Sequence, residues 1–425
     1  MKDPLEEASA DVDRRGASFI LLAIVAGLVA LAIFRPGSRD ALAIVVGIVV
    51  MVMLHEAGHY FAAKRTGMKA TEFFLGFGPK LWSFKRGETE FGVKAVLLGG
   101  YVRIIGMTNL EEVDPADEHR TYRAASYGKR LVVVLAGVTT NVLLALVLFF
   151  GFFAAGGEIP DGAGTRVDHV VKYVEDDSGA KVLDESGNKV ETAAHSAGFR
   201  RKDRIVAVDG VRVTGWEQLV RKIEARGGEP TTFTIVRHDE RLQLEATPYL
   251  DDGKGFLGIG PIYESHTVGV LEAVPESFRA LGDVTAGTAS GLADLFSPEG
   301  ISDYSKNFTG NAPKAGSPAS QARPRSLIGI VDVGSDIVNG DITKLLFLLG
   351  AISLVLAIFN TIPLLPFDGG HAAVVVYEAI ASKVKGRRVR ADYRKLMPVT
   401  AIVLALFLTL GLSAMFLDIR DAIGS

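Results

Sequence analysis

The sequence predicts a polytopic α-helical membrane protein of about five transmembrane helices that also carries two small β-containing regions. Three observations predict it. Of 425 residues, 48% are hydrophobic and the mean hydropathy is +0.27, too apolar for an average soluble chain. The excess is gathered into five long apolar runs. In two places outside those runs the apolar period changes from 3.6 to 2, which marks sheet.

In chain order, residues 1–17 form a polar leader of mixed charge, and Ser18–Phe34 is an apolar stretch at the short end of what spans a bilayer. It is expected to be a retained helix. The alternative, a cleaved signal peptide, fits poorly with the acidic leader and the Arg-Pro-Gly-Ser-Arg that follows. Ala41–Ala63 is the second span and carries His-Glu-Ala-Gly-His, HEAGH, in its later half. Twelve lysines and arginines lie between Lys64 and Arg130, so this connector and the N-terminus are expected in the cytoplasm, with the HEAGH motif toward that side. Within residues 72–106, Leu81–Phe84, Phe91–Val93, Ala95–Leu98 and Tyr101–Ile104 read as short strands joined by glycine turns. The resulting sheet is either a plain cytoplasmic hairpin or an edge that pairs with an extended substrate strand.

Leu131–Ala155 returns the chain to the outside. Gly137 and Asn141, four apart within it, suit close helix packing and one interhelical hydrogen bond better than catalysis. Gly156 to Tyr249 is a soluble, extracytoplasmic α+β region. Strand alternation at Ile205, Ala207 and Val213 precedes a helix with Trp216, Leu219, Val220 and Ile223 on one face, and Thr231–Arg237 and Leu242–Thr247 make a hairpin. That order over residues 164–249 resembles a PDZ domain, with Lys202 standing where a glycine is usual before Asp203 in a G-D-x-I element. Residues 250–341 are weakly patterned: Val274–Phe296 suits an amphipathic helix or two at the membrane surface, and Asn311–Pro324 a flexible linker. The fourth span, residues 345–380, is expected to break at Pro363, Pro366 and Gly369-Gly370. Seven basic residues from Lys383 to Lys395 follow it, before the last span, Val399–Leu417.

Chemistry concentrates in two of these spans. On a helix His55 and His59 share a face, as two metal-ligating imidazoles must, with Glu56 beside them as a candidate general base. Charged groups in a spanning helix rarely persist without a partner or a task. Asp368 sits in the broken helix, where irregular backbone is tolerated only against protein or a water-filled cavity, and its charge calls for a cation. Two histidines and a carboxylate leave a fourth tetrahedral position open, the arrangement of a hydrolytic zinc site. The chain has no cysteine, so thiolate catalysis, cysteine zinc sites and disulfides are excluded. The net charge of −3, without a basic field interleaved with aromatics, excludes nucleic acid as a partner.

HEAGH in a transmembrane helix, the FGVKAVLLGGYVRIIGM hairpin, the PDZ-like insert and NTIPLLPFDGGH together resemble the site-2 protease family of intramembrane zinc metalloproteases. The likeness is to bacterial members that cleave anti-sigma factors, and Lys64–Lys69 and Phe367–His371 lean toward actinobacterial ones. It covers Ala41 to Leu417; the helix at Ser18–Phe34 is an addition to the simplest family topology. The resemblance implies that His55, His59 and Asp368 ligate Zn2+ and that Glu56 deprotonates the attacking water and later protonates the leaving amine. It gives Asn360 a substrate-binding role near the oxyanion. His371 is either a group supporting the ligands or a polar helix end. The implied activity is intramembrane cleavage of single-pass proteins in a bacterial plasma membrane, after a first extracytoplasmic cut. An inactive zinc-bound scaffold recruiting partners through the PDZ-like domain is the alternative, and intact Glu56 speaks against it. A metal transporter would need further carboxylates or histidines along the other spans, which lack them.

Overall fold

A computed structural model describes residues 38–174, 181–184, 186–251, 253–308 and 323–424. These form two compact units, one of residues up to 155 and from 270 onward, the other Gly156–Gly269. Among the described residues four helices are long and apolar enough to cross a bilayer, Ser38–Thr66, Tyr127–Ala154, Ile342–Thr361 and Tyr393–Asp421. The expected span at Ser18–Phe34 lies outside the described residues.

Helix α1 (Ser38–Thr66) leads into strands β1 (Ala70–Arg86) and β2 (Thr89–Ile104). Both strands bend, so that Phe73 pairs with Val102 on one side and Phe91 on the other, while Trp82 to Arg86 pair with Thr89 to Val93. Two long strands thus make four antiparallel rows, with Tyr101–Ile104 on the edge nearest α1. The bend in β1 uses Gly76 and Gly78, both at positive φ, where a side chain is strained. The row Ala70–Leu75 was not among the strands expected from sequence, because Phe73-Phe74-Leu75 is a continuous apolar run rather than an alternating one. The expected segments Phe91–Val93, Ala95–Leu98 and Tyr101–Ile104 are parts of one strand. Its turn is tied down by Glu88, which accepts from both ends of the Arg120 guanidinium (2.8 and 2.9 Å) and from Lys64 (2.5 Å). The Arg120 hydrogen bond, reinforced by Lys64, holds the Glu88 carboxyl down at about 2.

Helix α2 (Tyr127–Ala154) then leads into the second unit through β3 (Ile159–Val170). There follow α3 (Ala193–Ser196), β4 (Arg204–Val208), β5 (Val211–Arg212), α4 (Trp216–Glu224), β6 (Thr231–Arg237), β7 (Glu240–Ala246), β8 (Tyr249–Asp251), β9 (Lys254–Phe256) and β10 (Ile259–His266). The main sheet runs β10-β3-β4-β6-β7, with β5 on β4. Its core is Val167, Phe199, Ile205, Phe233, Ile235 and Leu257, closed by Leu219 and Ile223 from α4. The expected helix and hairpin are both present, and His238 and Asp239 supply the two positive φ values of the hairpin turn. The unit runs on to Gly269, past the expected end at Tyr249, because β10 pairs along β3.

Lys202 has φ 73°, the conformation a glycine adopts freely. An L-residue there costs about 1–2 kcal/mol, against about 0.5–1 kcal/mol of extra chain entropy lost by glycine on folding. Lys202→Gly should therefore stabilise this unit by up to about 1 kcal/mol. Urea unfolding followed by Trp216 in a Trp82→Phe background measures it, and a lower midpoint would contradict the strain argument. Next to it Asp203 is 1% exposed and pairs bidentately with Arg237 at 2.7 Å while accepting from Arg200 N, which fixes the turn into β4.

The chain re-enters the first unit through α5 (Ala273–Leu295) and α6 (Pro298–Lys306). Helix α5 covers the expected amphipathic segment: Ala273, Ser277 and Ala280 are buried as it packs on α2 and α8, and Val274 and Phe278 on it are exposed. Most of the expected linker Asn311–Pro324 lies outside the described residues. Helix α7 (Leu327–Val338), missed in the weakly patterned region, packs on α1, α8 and α10. The fourth span is α8 (Ile342–Thr361), broken as expected before α9 (Asp368–Lys385). The last is α10 (Tyr393–Gly424), tied to the start of α7 by Asp418, which pairs with Arg323 at 2.8 Å and accepts from Ser326 N at 2.7 Å.

Candidate metal centre

Helix α1 puts His55 and His59 one turn apart, 7% and 8% exposed, on the face toward α2. The third member comes from the broken helix. Asp368 opens α9, where backbone N–H groups favour a carboxylate. Gly369 and Gly370 permit it: a Cβ would lie 2.2 Å from Thr361 O at the first and 2.4 Å from Leu364 C at the second, so only glycine lets the 361–365 segment fold back over the helix start.

His55 Nε2, His59 Nε2 and Asp368 Oδ2 lie 3.2 Å from one another in all three pairs. His59 Nδ1 donates to the Val133 carbonyl at 2.8 Å, which leaves Nε2 with its lone pair. Asp368 Oδ2 is buried and accepts no hydrogen bond. Two imidazole nitrogens and a carboxylate oxygen converging at this spacing suit a bound cation. A triangle of side 3.2 Å is the face of a tetrahedron whose centre is about 2.0 Å from each corner, the usual zinc–nitrogen and zinc–oxygen distance. The donor set thus fits zinc with a fourth position open, and among the described residues it is the one cluster of this kind.

Helix α2 forms the wall behind the cluster. A Cβ on Gly137 would lie 2.3 Å from His59 Nε2 and 2.7 Å from His55 Nε2, so this residue decides whether α2 can approach the ligands. Gly58 closes the same contact from the other side, against Thr140 and the Ala136 carbonyl. The expected packing role of Gly137 is therefore joined to the ligands themselves. Asn141, fully buried, takes part in one interhelical bond, from Ser353 Oγ to its backbone carbonyl at 3.0 Å, rather than through its side-chain amide.

Glu56 is held beside the ligands from the sheet: Val102 N donates to Glu56 Oε2 at 3.0 Å. Since successive N–H groups of a strand point to opposite sides, Gly100 and Val102 face α1 together. Asn360 is not brought to the cluster by any hydrogen bond among the described residues; its Nδ2 donates one turn back to Leu356 O at 3.1 Å. His371 lies one turn after Asp368 with its ring 6.3 Å from that of Tyr393, and its Nδ1 is buried without a partner. Main-chain partners such as Val133 O and Val102 N escaped sequence reading because they carry no side-chain signature.

The comparisons with known proteins agree with this geometry. The profile of Peptidase family M50 matches residues 43–407. Zinc metalloprotease Rip1 of Mycobacterium tuberculosis is 33% identical over 388 residues, covering 84% of this chain and 92% of that protein. Zinc metalloprotease Rip1 of Mycolicibacterium smegmatis is 31% identical over 389 residues, covering 84% and 91%. With four apolar helices of spanning length, this is a bacterial membrane protein and a zinc-dependent metalloendopeptidase. The chain belongs to Peptidase family M50, the site-2 proteases.

Proposed function

We propose that this protease cuts single-pass membrane proteins such as anti-sigma factors within the bacterial plasma membrane, after a first extracytoplasmic cut has shortened them. The observation that carries the proposal is the His55–His59–Asp368 triangle with Glu56 beside it, built from apolar helices and bordered by a strand edge. His55, His59 and Asp368 would hold the metal. What zinc supplies there when bound is Lewis acidity, which polarises a carbonyl and acidifies water. Glu56 takes the proton from the attacking water and delivers it to the leaving amine. The Val102 N–H holds the Glu56 carboxylate in place for both transfers. A helical substrate must be extended before its carbonyls are accessible, and the β2 edge at Gly100 offers backbone groups to pair with it. Asn360 contacts the substrate backbone once its side chain leaves Leu356 O. Positive-inside reasoning puts the catalytic residues toward the cytoplasm and the Gly156–Gly269 unit, PDZ-like in its order of strand, helix and hairpin, outside. Tethered at both ends, that unit acts as a filter by bulk.

One experiment tests these points. Purified protein is incubated with a single-pass anti-sigma-factor substrate, either full-length or trimmed to its transmembrane segment and a short outer stub. Wild type should cut the trimmed form alone, and removal of residues 156–269 should permit cutting of both. Gly100→Pro should slow cutting of the trimmed form while zinc stays bound. Loss of all cleavage on removing the unit, with zinc retained, would make it a substrate receptor. Failure of wild type on every single-pass substrate would remove the proteolytic reading.

A further inference from the structure

A crevice of about 580 Å3 opens between α9 and α10, and Gly370, two residues after Asp368, forms part of its wall. Its wall includes the apolar Leu365, Val374, Leu396 and Val399 together with the exposed Lys385, Arg390 and Lys395. Arg390 lies in the field of Glu118, while among the described residues lining the crevice Lys385 and Lys395 meet no acid other than Asp392. From Lys383 to Lys395 there are seven basic residues and one acid, Asp392, whose Oδ1 already accepts from Arg394 N at 3.1 Å. This basic segment is held in position. Glu378 pairs with Arg130 at 2.5 Å, both nearly buried, and also accepts from Ala391 N at 2.7 Å, while Val389 N donates to Ser382 Oγ and Arg388 to the Arg123 carbonyl.

We propose that this crevice binds an anionic phospholipid, its acyl chain between α9 and α10 and its phosphate at Lys385, Arg390 and Lys395. The volume lies within the range of about 300–1,000 Å3 typical of ligand sites. An apolar wall beside exposed cations at a spanning helix selects a lipid over a soluble anion, and basic pockets between such helices suit anionic headgroups. The Pro363–Leu365 wall leads directly to Gly369, Gly370 and Asp368, so the occupant braces the segment that presents a metal ligand.

The full chain carrying Trp82→Phe, Trp216→Phe and Tyr377→Trp has one tryptophan at the crevice. In phosphatidylcholine nanodiscs, brominated phosphatidylglycerol should quench it with an apparent affinity about tenfold or more above that of brominated phosphatidylcholine. Lys385→Gln, Arg390→Gln and Lys395→Gln combined should erase the difference, and each alone should reduce it about fivefold. Zinc content on the same samples verifies the fold; if the triple variant loses zinc, the single variants decide. Equal quenching by the two lipids, or a preference that survives the substitutions, overturns the proposal. So does displacement of phosphatidylglycerol by inorganic phosphate, which would mark a free-anion site, or by an acidic peptide, which would mark a protein-docking site. The readout is binding, so it stands apart from the proteolysis reading.

Discussion

Glu56→Gln is expected to lower cleavage by about two to four orders of magnitude while leaving zinc bound, the loss typical of removing a positioned general base. The substituted amide keeps the shape of the carboxylate and an oxygen that can accept from Val102 N, so the 3.0 Å tether from β2 survives. It cannot take a proton from water at neutral pH. The ligand triangle does not include residue 56, so the metal should be unaffected. Turnover of a trimmed single-pass substrate, measured beside zinc content, separates base from ligand. Undiminished turnover would show that another group takes the proton. Lost zinc would show that Glu56 supports the ligands instead.

Gly137→Ala is expected to be nearly as damaging although residue 137 is neither ligand nor base. The added methyl would lie 2.3 Å from His59 Nε2 and 2.6 Å from His55 Cε1, far inside contact distance. Close-packed interiors do not absorb such an overlap without displacement. Either α2 withdraws, taking with it the Val133 carbonyl that orients His59, or the imidazoles rotate away from Asp368. Misplacement of reacting groups by about 1 Å can cost on the order of 100-fold in rate. Zinc affinity and cleavage should therefore fall together. Gly128→Ala, on the same helix with nothing within 4 Å of the added atom, is the control and should change neither. A Gly137→Ala protein with normal zinc and normal cleavage would contradict the packing of α2 against the ligands.

The membrane helices and their chemistry were legible because lipid imposes long apolar runs and makes each interruption conspicuous. HEAGH in α1, and Asp368 among the prolines and glycines before α9, stood out for that reason. The insert was legible through its periodicity, down to Lys202, whose place in the G-D-x-I element is also where the backbone turns left-handed. The Ala70–Leu75 row was hidden because Phe73, Phe74 and Leu75 are consecutive apolar residues, which removes the alternation that marks a strand. Helix α7 was hidden for a different reason. Its apolar length is modest, and what holds it is tertiary: Ser326 N and Arg323 meeting Asp418, ninety residues or so away in α10. Asn360 shows the limit of a motif, which places a residue in the chain without saying where its amide points.

The most direct measurement of the central claim is the zinc content of purified wild type, His59→Ala and Asp368→Ala, by elemental analysis at matched protein concentration. Each of these residues contributes one corner of the 3.2 Å triangle, and there are only three protein donors. Wild type should carry about one zinc per chain, and both variants should lose most of it on dialysis against a mild chelator. Unchanged zinc in both would mean that the metal is held elsewhere and that the triangle is not its site.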